Sequence, residues 1–135
     1  MHHFFQFHPD APLLTDEDIK EFKDNITLKY TLLYSFGIML EFFGLRKIYR
    51  YNPDNEIWNN LVIEKADNYD ERKSVWQGKM NHNYLRITRI LTCLMLCGLE
   101  KEAEAFLDCL TDITYGEEEM WGLESYIYWW RAVHP

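Results

Sequence analysis

The sequence predicts an all-α protein: a compact single domain of five to six helices with a small β-hairpin or loop insertion around residues 47–63. Three observations lead there. Apolar residues recur at helical spacing through several long segments of the 135-residue chain, each leaving one face to bury. Glycine and proline are scarce, at 6 and 4 residues, which leaves few sites for the turns of a β fold. Hydrophobic residues make up 47% and aromatics 16%, enough ring surface to fill one interior at this length. A single domain over residues 1–135 is therefore expected.

The elements follow in order. Phe4-Phe5-Gln6-Phe7, then Pro9 and Pro12, read as an extended aromatic lead-in. Thr15 before Asp16-Glu17-Asp18 is an N-cap with acids where the helix dipole favours them, and the short helix it opens points Ile19 and Phe22 inward. Asn25 caps a long second helix, in which Leu28, Leu32, Ser35 or Phe36, Met39 and Phe42 or Phe43 repeat until Gly44 ends it. Ile48, Tyr49 and Tyr51 precede the turn sequence Asn52-Pro53-Asp54-Asn55, and Ile57, Trp58, Leu61, Val62 and Ile63 follow it. That pattern predicts a hairpin, with an irregular loop as the competing reading.

Asp67 is expected to cap a helix through Asp70, Val75 and Trp76 that breaks near Gly78. A helix over 83–97 ends at Gly98. The next runs from Glu100 to about Thr111 and buries Ala103, Phe106, Leu107 and Leu110. The last runs from about Glu117 to Ala132 and buries Met120 or Trp121, Leu123 or Ile127, and Trp130. No internal repeat, low-complexity tract or linker interrupts the chain.

Acids outnumber bases 22 to 14, for a formal net charge of −8. Proteins that grip phosphate backbones need clustered Lys and Arg, so direct nucleic-acid binding is not expected and a protein or peptide partner is. The N-terminus lacks the basic and apolar regions of a signal peptide. The longest apolar run, Ile90–Leu99, is about half of a membrane span. A cytoplasmic protein without a span is expected, or a nuclear one if the source is eukaryotic. Cys93, Cys97 and Cys109 read as buried reduced thiols. Cys93 and Cys97 lie one turn apart, but no His or second Cys pair completes a zinc set, so no metal and no cofactor is expected. His2, His3 and His8 belong to a solvated N-terminus.

Catalytic templates are missing: no Gly-x-Ser-x-Gly, no phosphate-binding glycine loop, no His-Glu-x-x-His. The candidate site is instead the start of the 83–97 helix, where His82, Asn83, Arg86 and Arg89 are spaced three and four apart and share one side. Guanidinium forks beside a helix N-terminus suit a carboxylate, a phosphate or an acidic side chain. The competing structural reading has Asn81 or Asn83 capping the helix, and the arginines pairing internally with Glu41, Asp67 or Asp70.

His82-Asn83-Tyr84-Leu85-Arg86-Ile87-Thr88-Arg89-Ile90-Leu91 resembles the hallmark run of the opioid growth factor receptor conserved domain. Four more segments agree in order: His3–Phe7, Pro12–Thr15 with Ile19–Lys23, Leu40–Leu45 and Asn68–Arg72, and Tyr126–Val133 falls where the family's closing aromatic helix lies. The resemblance implies the family's fold, with the part of the domain upstream of His3 missing. It also implies a binding role, since vertebrate receptors of the family are described as binding Met-enkephalin at the nucleus and restraining proliferation. It supplies no catalytic residues. The expected function is a non-catalytic binding protein that holds a ligand or protein partner at His82, Asn83, Arg86 and Arg89. One alternative is a small acidic inhibitor of phage or bacterial origin that blocks a nucleic-acid-binding partner. A third is an enzyme acting on phosphorylated substrates through His82.

Overall fold

Local capping sets the first two helices. In the computed structural model, which describes residues 15–52, 54, 57–77, 83–117 and 122–135, α1 (Asp16–Asp24) opens with a reciprocal capping box. Asp18 N–H donates to Thr15 Oγ1 and Thr15 N–H to Asp18 Oδ2, both at 3.1 Å. Asn25 Oδ1 then accepts from the N–H groups of Thr27 and Leu28 to start α2 (Ile26–Phe43). The aromatic lead-in, the expected break at Gly78 and His82 lie outside the described residues.

The insertion is a hairpin. β1 (Leu45–Asn52) pairs antiparallel with β2 (Ile57–Lys65), Lys47 opposite Ile63 and Arg46 opposite Glu64. Leu45 and Ile63 are buried, while Glu64 bridges Arg46 at 2.7 Å and Arg50 at 3.3 Å on the solvent face. The helices α3 (Tyr69–Trp76), α4 (Asn83–Leu96), α5 (Glu100–Glu117) and α6 (Gly122–Val133) complete the domain. Among the described residues the fold is thus six helices and one two-stranded sheet.

The core sits where α2, α3, α4, α5 and α6 converge under the hairpin. Phe43 is its centre, with ring centroids 5.1 Å from Trp76 and 6.2 Å from Phe106, and Phe36 lies 5.6 Å from Phe106. The C-terminus of α2 is locked there. Gly44 adopts the left-handed conformation at φ 75°, which glycine alone takes at little cost. Arg72 Nε donates to Phe42 O at 2.8 Å and Trp76 Nε1 to Phe43 O at 2.9 Å, so two of the carbonyls a helix end leaves without helical partners are satisfied by α3. Ala66 N–H donates to Gly44 O at 2.8 Å and closes the base of the hairpin.

Several expectations are corrected. Asn68, not Asp67, holds the N-cap position of α3, and it makes no side-chain cap bond. α5 continues past Thr111 to Glu117 because buried Ile113 extends the stripe of Phe106 and Leu110 by another turn. In α6 the buried tryptophan is Trp129, whereas Trp130 is 47% exposed and Ile127 39%. The inward stripe is Tyr126, Trp129 and Val133, which turns Trp130 out to stack on His134 at 4.3 Å. The longest apolar segment is α2, not Ile90–Leu99. It has the length and composition to cross a membrane, yet Phe36, Leu40 and Phe43 belong to the core.

The three cysteines are free thiols, with Cys97 and Cys109 buried and Cys93 half-buried. Burial pushes Cys93 and Cys109 up to about 12, helped by Cys97 at the first and Asp112 at the second, and burial raises Cys97 as well. The ordinary thiol value is 9.0. Below it the thiols are protonated in both folded and unfolded chains, and their contribution to stability is intact. Above it the unfolded chain ionises first, so stability is expected to fall as pH rises from about 9 towards about 12. Thiol labelling at pH 8 should be at least about tenfold slower in the native than in the denatured chain. Equal labelling rates would contradict this packing.

Candidate functional site

The candidate residues stand on α4, whose phase is set by its core stripe. Tyr84, Ile87, Leu91 and Leu94 are buried, at spacings of three and four. That places Arg86, Arg89, Ile90 and Cys93 on the adjoining strip, beside α2. The first turn is pinned from the other side. Trp129 Nε1 donates to Tyr84 O at 3.0 Å in the interior, and the two rings meet edge-on at 5.7 Å. Thr88 Oγ1 donates back to the same carbonyl at 3.2 Å, and Thr92 Oγ1 to Thr88 O at 2.8 Å.

Between α2 and α4 runs a groove of about 470 Å³, within the size range of ligand sites. Leu32, Phe36 and Met39 from α2 and Ile90 and Leu94 from α4 make it apolar. Ser35, Cys93, Arg86 and Arg89 supply its polar lining. The structure therefore brings Arg86 and Arg89 to one groove and sets Asn83 beside them: Arg86 Nη1 donates to Asn83 Oδ1 at 3.0 Å. Arg86 is exposed and Arg89 half-buried. The expected internal pairing of Arg86 with Glu41, Asp67 or Asp70 does not occur. Among the described residues Arg86 has no ion pair, and Asp70 pairs with Lys73 at 3.6 Å.

The arginine that joins helices is Arg72, which the reading of residue spacing passed over. Besides its bond to Phe42 O, its guanidinium lies 4.9 Å from the centre of the Phe42 ring, a cation–π contact. Two of the segments that carry the resemblance, 40–45 and 68–72, thus meet each other at the end of α2 and serve the fold. The run 83–91 places Tyr84, Ile87 and Leu91 in the core and Arg86 and Arg89 at the groove.

The conserved region of the opioid growth factor receptor matches residues 6–130, and the chain belongs to that family. It is 30% identical over 123 residues to the opioid growth factor receptor-like protein 1 of Mus musculus, covering 87% of this chain and 24% of that protein. The Rattus norvegicus protein of the same name gives the same identity and coverage. The chain therefore spans about a quarter of the length of these relatives. No solved structure matches it.

Proposed function

We propose that the protein is a non-catalytic binding module whose ligand, a peptide or an acidic segment of a protein partner, lies in the α2–α4 groove with its carboxylate at Arg86 and Arg89. One observation carries this: Arg86 stands exposed, without a carboxylate among the described residues, beside an apolar groove. A guanidinium with no structural carboxylate keeps its bidentate capacity for an incoming one, while the Leu32–Leu94 floor supplies the burial. In a chain of net charge −8, a local pair of cations also orients an anionic group towards this groove and away from the rest of the surface.

The test is a titration of the ¹⁵N-labelled chain with short peptides that combine leucine or phenylalanine side chains with a free carboxylate. Shifts should concentrate at Ser35, Arg86, Ile90 and Cys93. Arg86→Gln should weaken binding by about tenfold, the size of one charge-assisted hydrogen bond. Shifts scattered over the surface, or unchanged affinity in the variant, would remove this reading.

One observation supports a second reading, the acidic inhibitor. Glu17, Glu21 and Asp24 are all exposed on α1 and, at spacings of four and three, share a predominantly negative face that Lys20 interrupts. A basic nucleic-acid-binding partner held there would be released by salt and by Glu17→Lys with Glu21→Lys, with the groove left unaffected.

A further inference from the structure

Across α2 from the groove, the helix shows solvent a face that solvent does not favour. Ile26, Tyr30, Tyr34 and Ile38 follow one another every four residues, exposed by 65%, 65%, 73% and 49%. The charged residues of α2 are Lys29 and Glu41. Lys29 is turned away, its Nζ 3.6 Å from where a Cβ on Gly98 would stand. Gly37 lies among the stripe residues, and a Cβ built on it meets nothing within 4 Å. No packing among the described residues requires glycine at this mid-helix position, where alanine is the better helix former. What a bare Cα provides there is room for another backbone to come close.

We propose that this face is where two copies of the chain pair, α2 against α2, antiparallel about a two-fold axis at Tyr34. The register is self-complementary. Tyr30 meets the partner's Ile38, four residues either side of the axis. Thr31 meets the partner's Gly37, so the missing Cβ admits the Thr31 side chain. Glu41 reaches the partner's Thr27, in the first turn of an α2 that carries no acid of its own there. Its carboxylate, without an ion pair among the described residues, then sits against the positive end of a helix dipole. The four stripe side chains offer about 500 Å² per copy and about 1,000 Å² for the pair, the lower bound of a specific interface. An interface of that size fits a reversible dimer of micromolar affinity. This pairing is independent of the groove ligand.

Sedimentation velocity on the full chain, from about 1 to 500 μM, should show a monomer–dimer equilibrium with Kd in the micromolar range. Tyr34→Glu sets two carboxylates face to face on the axis and should raise Kd at least about 100-fold, with unchanged far-UV circular dichroism because Tyr34 is exposed. Glu41→Lys should weaken the dimer by about tenfold, and Glu17→Lys should leave it unchanged. Register is read by mild oxidation: Tyr34→Cys should cross-link beyond the parent chain, whereas Thr27→Cys should not, its two copies standing about 21 Å apart along the pair. A chain that stays monomeric throughout, a dimer that survives Tyr34→Glu, or equal cross-linking at both positions would overturn the proposal. So would a monomer that binds phosphatidylcholine vesicles through Tyr34 in place of a second copy.

Discussion

Gly44→Ala is expected to destabilise the domain by about 3 kcal/mol, from left-handed backbone strain and a steric clash together. The strain follows from φ 75°, which costs a residue with a Cβ about 1–2 kcal/mol. The clash adds to it, because the new Cβ would stand 2.9 Å from Tyr69 Cα and 2.9 Å from Arg72 Cβ. The first of these is backbone, so relief requires α3 to move. That movement pulls Arg72 and Trp76 away from the carbonyls of Phe42 and Phe43, each a bond to an otherwise unsatisfied helix end. Native domains are stable by only about 5–15 kcal/mol, so the midpoint of thermal unfolding should drop by about 10–15 °C. Urea denaturation with an unchanged m value checks it. Gly37→Ala is the internal control. It lies in open space on the same helix and should stabilise the monomer by about 0.5–1 kcal/mol. The same chemical change is thus expected to act with opposite sign seven residues apart, and a loss below about 1 kcal/mol at Gly44 would show that α3 gives way freely.

The second large effect is expected at Trp129, where two substitutions separate volume from hydrogen bonding. Trp129→Ala should cost about 4 kcal/mol, since a fully buried indole leaves a cavity among Tyr84 and its neighbours. Trp129→Phe keeps much of the ring but loses the donor to Tyr84 O, and should cost about 2 kcal/mol. Tyr84 lies two residues before Arg86, so the milder variant also frees the turn that carries the guanidinium. Native-state hydrogen exchange should accelerate at Ile87 and Thr88 more than along α2. Uniform acceleration through all helices would mean that Trp129 supports the domain as a whole and does not specifically hold the first turn of α4.

Where the chain's own neighbours decide structure, reading residues in order succeeded. Thr15, Asn25, Gly44 and Gly98 act within one turn of themselves, so their helix ends were visible without knowing what packs on what. The hairpin was visible for the same reason, its turn residues lying between two β-rich runs. Phase in α6 was not, because adjacent Trp129 and Trp130 are chemically alike. Only the position of α4 selects which of them goes inside. Arg72 was missed because its acceptor, the carbonyl of Phe42, is a backbone atom thirty residues away that no spacing rule exposes. The groove was missed too. Residue types singled out Arg86 and Arg89, but the apolar floor beside them exists only because α2 and α4, distant in sequence, line one groove.

The hydrogen bond from Ala66 N–H to Gly44 O fastens the two feet of the hairpin to one point. Everything between those feet is a closed loop whose ends the helical body already holds together. Lengthening such a loop costs only about 0.6 kcal/mol per doubling, provided Leu45 and Ile63 keep their places in the core. The tip between Asn52 and Ile57 is therefore a grafting position. A tag, a reporter or a foreign binding loop inserted there would be displayed beyond the paired strands, while the α2–α4 groove remains as it is.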